Sequence, residues 1–368
     1  MFKRLLFLNG LATIGLILFH SAGWGFVAMY HWRERYLPLV GAGADQPGGV
    51  AYYVLRTMEQ LPVAAIPAFL FVSGLFVAFT VRQSGRVQWP VIRGRLQTLL
   101  VPYLLWSAIL LLLLIAEGRM PSVARIPFML LTGAINPAFY YVPLICQFYL
   151  LSFWLAPLAR RRPVLLLVVA ALVQSAIQLG YYLSYFGVES PLLQALGSIP
   201  KWFFATRLFW FSFGIVAGFN LQLLESRLPR WRWPLAGATL LLVVAGIVEW
   251  EWIFRSSGQF WLDHRETFID TFYALALILT VLAFYRQSSP VDRPVEELGL
   301  KSYGIYLIHS PVMGYTARAI YHLAPAVLAN QFLFQPLVIV AGLGVPLLLM
   351  SAVNRTPVVQ RFYKYSFG

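Results

Sequence analysis

The chain has one cysteine in 368 residues, Cys146, and it lies inside an apolar run. A single thiol excludes an intramolecular disulfide framework and any cysteine-based metal site. Charge is also scarce, with 11% of residues Asp, Glu, Lys or Arg against 60% apolar. A soluble globular domain carries about 25% charged residues, so the polar shell of such a domain is missing here. No internal repeat, heptad array or low-complexity linker is visible. No polar stretch is long enough for a separate soluble domain, so any chemistry falls to an apolar bundle and its short loops.

Long hydrophobic runs are what the chain does have, with a mean hydropathy of +0.71. Ten runs, at 5–27, 61–81, 98–116, 138–158, 163–183, 202–220, 233–254, 267–285, 302–321 and 333–353, are each about the 20 residues that cross a bilayer core as helix. They predict one all-α polytopic domain over 1–368, in contact with the lipid bilayer. The Gly-rich stretch within 30–60 reads as the mobile tip of an ordered cap. Lys3-Arg4 before an apolar run loosely fits a signal peptide. Continued apolar character through Trp24, Phe26, Val27 and Met29 favours a retained first helix.

The net charge of +14 would raise the question of nucleic acid in a soluble protein. Its distribution answers otherwise. Assigning alternate loops to opposite faces puts eighteen Lys/Arg and four acidic residues with the two termini, and ten of each on the other side. By the positive-inside rule both termini are cytoplasmic, and a multi-pass inner (plasma) membrane protein is expected. The whole surplus is topological, so no nucleic-acid partner is implied.

Polar residues within the runs are few enough for spacing to carry information. Asn9, Thr13 and His20 share one face of the first run, with Leu16 between. Ser302, Tyr306, His309 and Met313 form a second stripe on the ninth run. Two such stripes should face each other or a common cavity, because lipid leaves polar groups unpaired. Ordinary interhelical hydrogen bonding accounts for Asn9, Thr13 and Ser302 as well. The histidines stand apart, since imidazole titrates near neutrality and is costly to bury without a role. Counted from Leu5, His20 lies ~22 Å along its helix, in the outer half of the bilayer. Counted from Lys301, His309 lies about 12 Å along, in the inner half. A site joining them is then expected to run through the protein as a channel.

Four segments resemble one family. They are Leu8-Asn-Gly-Leu-Ala-Thr-Ile-Gly-Leu-Ile-Leu-Phe-His20, Phe69-Leu-Phe-Val-Ser-Gly-Leu-Phe76, Arg93-Gly-Arg-Leu-Gln-Thr-Leu-Leu-Val-Pro-Tyr103 and Leu298-Gly-Leu-Lys-Ser-Tyr-Gly-Ile-Tyr-Leu-Ile-His-Ser-Pro311. In this order the chain resembles the integral-membrane acyltransferases of acyltransferase family 3, which decorate cell-envelope glycans. The resemblance implies acyl-CoA, most often acetyl-CoA, as cytoplasmic donor and a hydroxyl acceptor reached from the opposite side. It implies His20 as the catalytic residue, with Ser73, Tyr306 and His309 completing the catalytic set. Two positions depart from the family's pattern. Asn9 stands where Arg or Lys is usual eleven residues before the histidine, and Arg93-x-Arg95 replaces Arg-x-x-Arg, with Thr98 following. Asn9, Arg82, Arg86, Arg93 and Arg95 are then the candidates for holding the donor and its phosphates. A loop on the cytoplasmic side must be basic for topology in any case.

The chemistry fits these residues independently of the family. A thioester is already activated, so an enzyme has only to deprotonate an alcohol, bring it to the carbonyl and stabilise the oxyanion. His20 suits the role of general base, or of acyl carrier. No nucleophile elbow suggests a serine mechanism. On the outer side Glu249, Glu251, Asp263 and Asp270, with Glu266 and Thr267 and near Trp250, Trp252 and Trp261, are candidates for binding an envelope carbohydrate or lipid-linked acceptor. An interfacial aromatic belt with solvated acids is the competing account. The expected function is O-acylation of such an acceptor, as in polysaccharide modification by O-acetylation, with no metal. The alternative is a transporter or flippase of a glycan, with the histidines as proton relay.

Overall fold

The computed structural model describes residues 2–188, 190–258 and 266–368, with only the backbone described at Ala42. No strand occurs among them, and every expected apolar run lies on helix. The elements that matter here are α1 (Phe2–His31), α2 (Val50–Gln60), α3 (Ala65–Ser84), α4 (Trp89–Ala116), α5 (Tyr141–Arg161) and α6 (Pro163–Tyr185). They continue with α7 (Leu208–Phe219), α8 (Arg232–Ser257), α9 (Phe268–Ala283), α10 (Asp292–Leu300), α11 (Ser302–Leu323), α12 (Gln331–Arg355) and α13 (Tyr363–Phe367).

Among the described residues seven helical segments are long and apolar enough to cross a membrane. The chain is therefore an all-α polytopic membrane protein. Three expected spans fall short of that standard. α7, with the single turns of helix before it, and α9 are short, while the polar stripe of α11 lowers its hydropathy. Those three helices pack in the interior and carry much of the site.

Glycine sets two of the closest helix crossings, as expected where packing rather than the hydrophobic effect joins helices in lipid. A Cβ on Gly74 of α3 would lie 2.2 Å from the Phe211 carbonyl oxygen of α7, and one on Gly214 would lie 2.0 Å from that of Phe71. A second reciprocal crossing joins α1 to α10. Cβ atoms on Gly10 and Gly299 would lie 1.9 Å from the Val295 oxygen and 2.1 Å from the Leu6 oxygen. The Arg4–Asp292 ion pair, at 2.9 Å, closes the end of this contact.

The C-terminal residues and α4 meet the start of α11. Phe367 of α13 is buried against Gly304, the Trp106 indole donates to the Ser366 carbonyl at 2.9 Å, and the Tyr303 phenol donates to the Leu99 carbonyl of α4. On the opposite face the Gly-rich stretch is anchored by Asp45. Its N–H donates to the Ala329 carbonyl at 2.8 Å, and its carboxylate accepts from the Gln331 N–H at 2.6 Å. The expected mobile tip is therefore tied to the segment before α12 at this residue.

Candidate active site

α1 presents His20 and α11 presents His309, and the two imidazole centroids are 5.1 Å apart. The expected separation in depth, and the channel it implied, are corrected by this contact. The reason lies in α10, which is packed along α1 so that Gly299 meets the helix between Leu6 and Gly10. From the Gly10–Gly299 crossing each histidine is ten residues onward, about 15 Å in helix. Lys301 is thus not level with Leu5, and counting from those two residues placed the rings at different depths.

His309 is wholly buried. Its Nδ1 lies 2.8 Å from the Tyr306 carbonyl and 3.1 Å from that of Ile305. Carbonyls only accept, so Nδ1 carries the proton and the neutral ring keeps a lone pair on Nε2. That Nε2 is buried and has no hydrogen-bond partner among the described residues. The nearby ring is His20, which is only partly buried and also meets Phe19 edge-on at 5.6 Å.

Tyr306 lies 6.2 Å from His309, ring to ring, and its phenol donates to the Ala138 carbonyl. Beyond it, Tyr141 packs edge-on at 5.7 Å, with Ser73 near the Tyr141 phenol. Ser73 is therefore separated from the histidines by two tyrosines and lines no cavity at His20.

Two cavities touch His20. The smaller, about 170 Å³, is walled by Leu16, Phe19 and Ile66 and reached by the side chains of Tyr140, Lys201, Arg207, Glu266 and Tyr306. The larger, about 580 Å³, runs past Trp24 to His31 at the far end of α1 and is bordered by Arg119, Tyr315 and Arg318. Both extend away from the face that bears the termini. The smaller cavity is braced by an ion pair, Arg207 to Glu266 at 2.8 Å, with Arg207 Nη1 donating to the Lys201 carbonyl at 2.9 Å.

The candidate donor residues lie elsewhere. Arg82, Arg86 and Arg93 are exposed at the terminal face, with Arg82 donating to the Gly218 carbonyl at 3.3 Å. Arg95 is half-buried, over the Tyr149 ring at 5.3 Å. Asn9 sits three helical turns before His20, and its Oδ1 is buried with no partner among the described residues. None of the five lines a cavity at His20.

The acidic residues expected at the acceptor are mostly engaged in the fold. Asp270 forms a reciprocal cap with Thr267 at the start of α9 and accepts from Gln60 Nε2 at 2.7 Å. Glu249 accepts from the Thr267 hydroxyl, and Glu251 from Tyr52 at 2.7 Å and Arg255 at 3.1 Å. These three line neither cavity, because a cap or a partner turns each carboxylate into the protein. Asp263 and Trp261 lie outside the described residues. Glu266 does reach the site, joined by Tyr140, Lys201 and Arg207, which sequence reasoning left out. Arg207 had a signal, being an ionisable residue within an apolar run. Among the described residues no three His, Cys, Asp or Glu side chains converge as metal ligands.

A polytopic helical bundle with a histidine pair between two of its helices, beside two cavities, defines a multi-pass membrane protein with a candidate intramembrane site. Residues 5–351 match the acyltransferase domain family Acyl_transf_3, and the chain belongs to it. It is an acyltransferase, an enzyme that transfers acyl groups other than aminoacyl groups. The transporter alternative is thereby set aside. No curated protein and no solved structure matches the chain.

Proposed function

We propose that the protein moves an acyl group, acetyl in the simplest case, from cytoplasmic acyl-CoA to a hydroxyl of an envelope carbohydrate or lipid-linked acceptor in the inner membrane. The observation that carries this reading is the position of His20, beside the bare Nε2 of His309 and at the meeting point of two cavities. In this reading a His20 N–H donates to His309 Nε2, which leaves the other His20 nitrogen as a base toward the cavities. The acceptor hydroxyl gives its proton to that nitrogen as its oxygen attacks the thioester carbonyl. The C–S bond then breaks, and the leaving thiolate takes the proton back from the imidazolium. In a two-step variant a His20 nitrogen attacks the thioester carbonyl and the C–S bond breaks to release the thiolate; the acceptor oxygen then takes the acyl group as the C–N bond breaks, and its proton passes to the thiolate.

The donor's phosphates would meet Arg82, Arg86, Arg93 and Arg95 on the terminal face, each a suitable partner for a phosphate oxygen. Between that face and His309 stand Tyr303 and Tyr306, stacked at 6.1 Å, with α13 packed against Tyr303. A thioester arriving from there has to displace part of this column.

His20→Ala in purified protein tests the reading. With labelled acetyl-CoA and native envelope material, transfer should fall at least 10²-fold while thermal unfolding is retained. Undiminished acylation by a folded His20→Ala protein would overturn it.

A further inference from the structure

The larger cavity runs from His20 to two arginines to which acyl transfer itself gives no task. Its lining brings together Arg119, three residues past the end of α4, and Arg318, near the end of α11, and it contains no carboxylate among the described residues. Glu117 lies between the two. Its carboxylate pairs with Arg119 on one oxygen and with Arg318 at 3.5 Å on the other, which also accepts from the Tyr315 phenol at 2.6 Å. Two guanidiniums against one carboxylate leave a net charge of +1 at this end of the cavity. A guanidinium has five N–H donors, and each of these gives one to Glu117, so most of their donors meet no protein acceptor among the described residues. A single arginine at a membrane interface is ordinary. A pair drawn from two helices onto one carboxylate, at the mouth of a cavity that ends at the histidines, is a cradle in which Glu117 shows where an anion is held.

Distance and surroundings narrow the ligand. Arg318 is nine residues beyond His309 on α11, about 14 Å in helix, and His31 at the same end of the cavity is eleven beyond His20 on α1, about 16 Å. One sugar ring does not span that distance, so a molecule with its anion at the arginines and its hydroxyl at His20 is larger than a monosaccharide. The cavity, at about 580 Å³, is of the size that holds a small-molecule ligand, and Trp24 and Tyr315 are the aromatic groups along it. One wall, Leu110 and Leu114, belongs to α4, whose apolar window is only 22% buried in the protein, with Leu112 and Leu113 beside them exposed. Arg119 follows this lipid-facing helix at the level where a span leaves hydrocarbon and the lipid phosphates begin. An anion carried by a lipid thus reaches Arg119 without leaving its own layer.

We propose that the larger cavity is the acceptor site, and that Arg119 and Arg318 hold the phosphoryl group that joins the acceptor glycan to a membrane lipid. The inference rests on the acyl-transfer reading of His20 and narrows its acceptor to a lipid-phosphate-linked oligosaccharide. The lipid lies along α4, the phosphoryl group at the arginine pair and the reacting hydroxyl at His20. Glu117 keeps the two guanidiniums together before the substrate arrives and gives up N–H partners to the phosphate oxygens, which suit the planar guanidinium fork. The arginines thereby set which hydroxyl of the glycan reaches His20. The donor's phosphates are served elsewhere, since Arg82, Arg86, Arg93 and Arg95 lie toward the opposite, terminal face.

The test uses the full chain in phosphatidylcholine nanodiscs, with calorimetry against discs that hold no protein. Farnesyl diphosphate is the lipid-phosphate probe, farnesol its uncharged match and trigalacturonic acid an anionic glycan without lipid. Farnesyl diphosphate should bind at least tenfold more tightly than either, and Arg119→Gln/Arg318→Gln should remove that advantage. Glu117→Gln, which takes away the competing carboxylate, should strengthen binding several-fold. Arg119→Gln alone, at an exposed side chain, gives the same reading if the double variant does not fold. Unchanged binding in a variant that melts normally overturns the proposal, and weaker binding in Glu117→Gln would mark the three residues as packing and overturn it too. Tighter binding of trigalacturonic acid assigns the arginines to a glycan carboxylate, and a parallel loss of acetyl-CoA binding in the double variant assigns them to the donor; either result overturns it. In turnover, lipid-linked glycan extracted from cells without the enzyme is compared with the same glycan freed by mild acid. The lipid-linked form should be favoured at least tenfold in kcat/KM, mainly through KM, and the double variant should erase the difference. Equal use of both forms overturns the proposal, while absent transfer with intact arginine-dependent binding faults the acyl-transfer reading alone.

Discussion

Gly10→Ala puts one methyl group into the crossing that sets the level of both histidines. The added Cβ would sit 1.9 Å from the Val295 carbonyl oxygen and 2.7 Å from the carbonyl carbon, both backbone atoms that no rotamer change can move. Reaching an ordinary contact requires α10 to retreat from α1 by about 1 Å or more, and such overpacking costs about 1–3 kcal/mol. The better helix propensity of Ala offsets roughly 0.5–1 kcal/mol of this at most. Because α11 continues from α10, the retreat also shifts His309 relative to His20. A displacement near 1 Å at reacting groups lowers rate by about 10²-fold. Thermal unfolding and labelled acetyl transfer, both in nanodiscs, read the two effects. Gly237→Ala in α8 is the control, since a Cβ there meets nothing within 4 Å. It should be neutral or slightly stabilising. If Gly10→Ala melts and transfers like the parent, the crossing does not set the site and the explanation given for the paired depth of the histidines fails.

Two further substitutions probe the packing around the site. Arg56 has a side chain with no exposure, pairs with Glu59 at 2.9 Å and is caged by the rings of Phe26, Tyr52, Trp250 and Phe254. Arg56→Met should lower stability by about 3–5 kcal/mol by breaking a buried ion pair; Arg56→Met/Glu59→Gln should regain much of it, and a double variant no better than the single one would point to the cage rather than the charge. Phe367→Ala empties a site against Gly304 and should cost about 3–5 kcal/mol in the same melt, unless the segment is dispensable, in which case the parental melting curve is retained.

Much of the fold was legible because the bilayer forces it. A run of about 20 apolar residues must be helix to satisfy its backbone, so 98–116 or 333–353 left no choice. The facing of the two polar stripes followed from the same constraint, and His20 and His309 do meet. Their depth was not legible, because α10 is amphipathic and lies beside α1 instead of simply joining two spans. The outer acids show a different limit. Composition cannot distinguish a carboxylate that caps a helix from one that meets a ligand, although Thr267-x-x-Asp270 already has the spacing of a capping box. Lys201 gave no signal of its own, since a lysine at the edge of an apolar run is ordinary and only the fold brings it to Tyr140.

Hydropathy and function do not run together in this chain. The windows in α4 and α12 are among the most apolar, yet only 22% of each is buried inside the protein, against 56% for α1. Their side chains face lipid, where any apolar residue serves and none is specified. α7, α9 and α11 are too short or too polar to stand out as spans, and residues on or just before them line the cavities or complete the histidine pair. A polar group in a membrane has to be enclosed by protein, so a helix that bears one must be interior, and an interior helix no longer needs to look like a membrane helix. α1 meets both demands at once, apolar enough to span and central enough to hold His20 at a glycine-fixed distance from α11. Lengthening or greasing α7 or α9 should therefore disturb the site more than equal changes in α4.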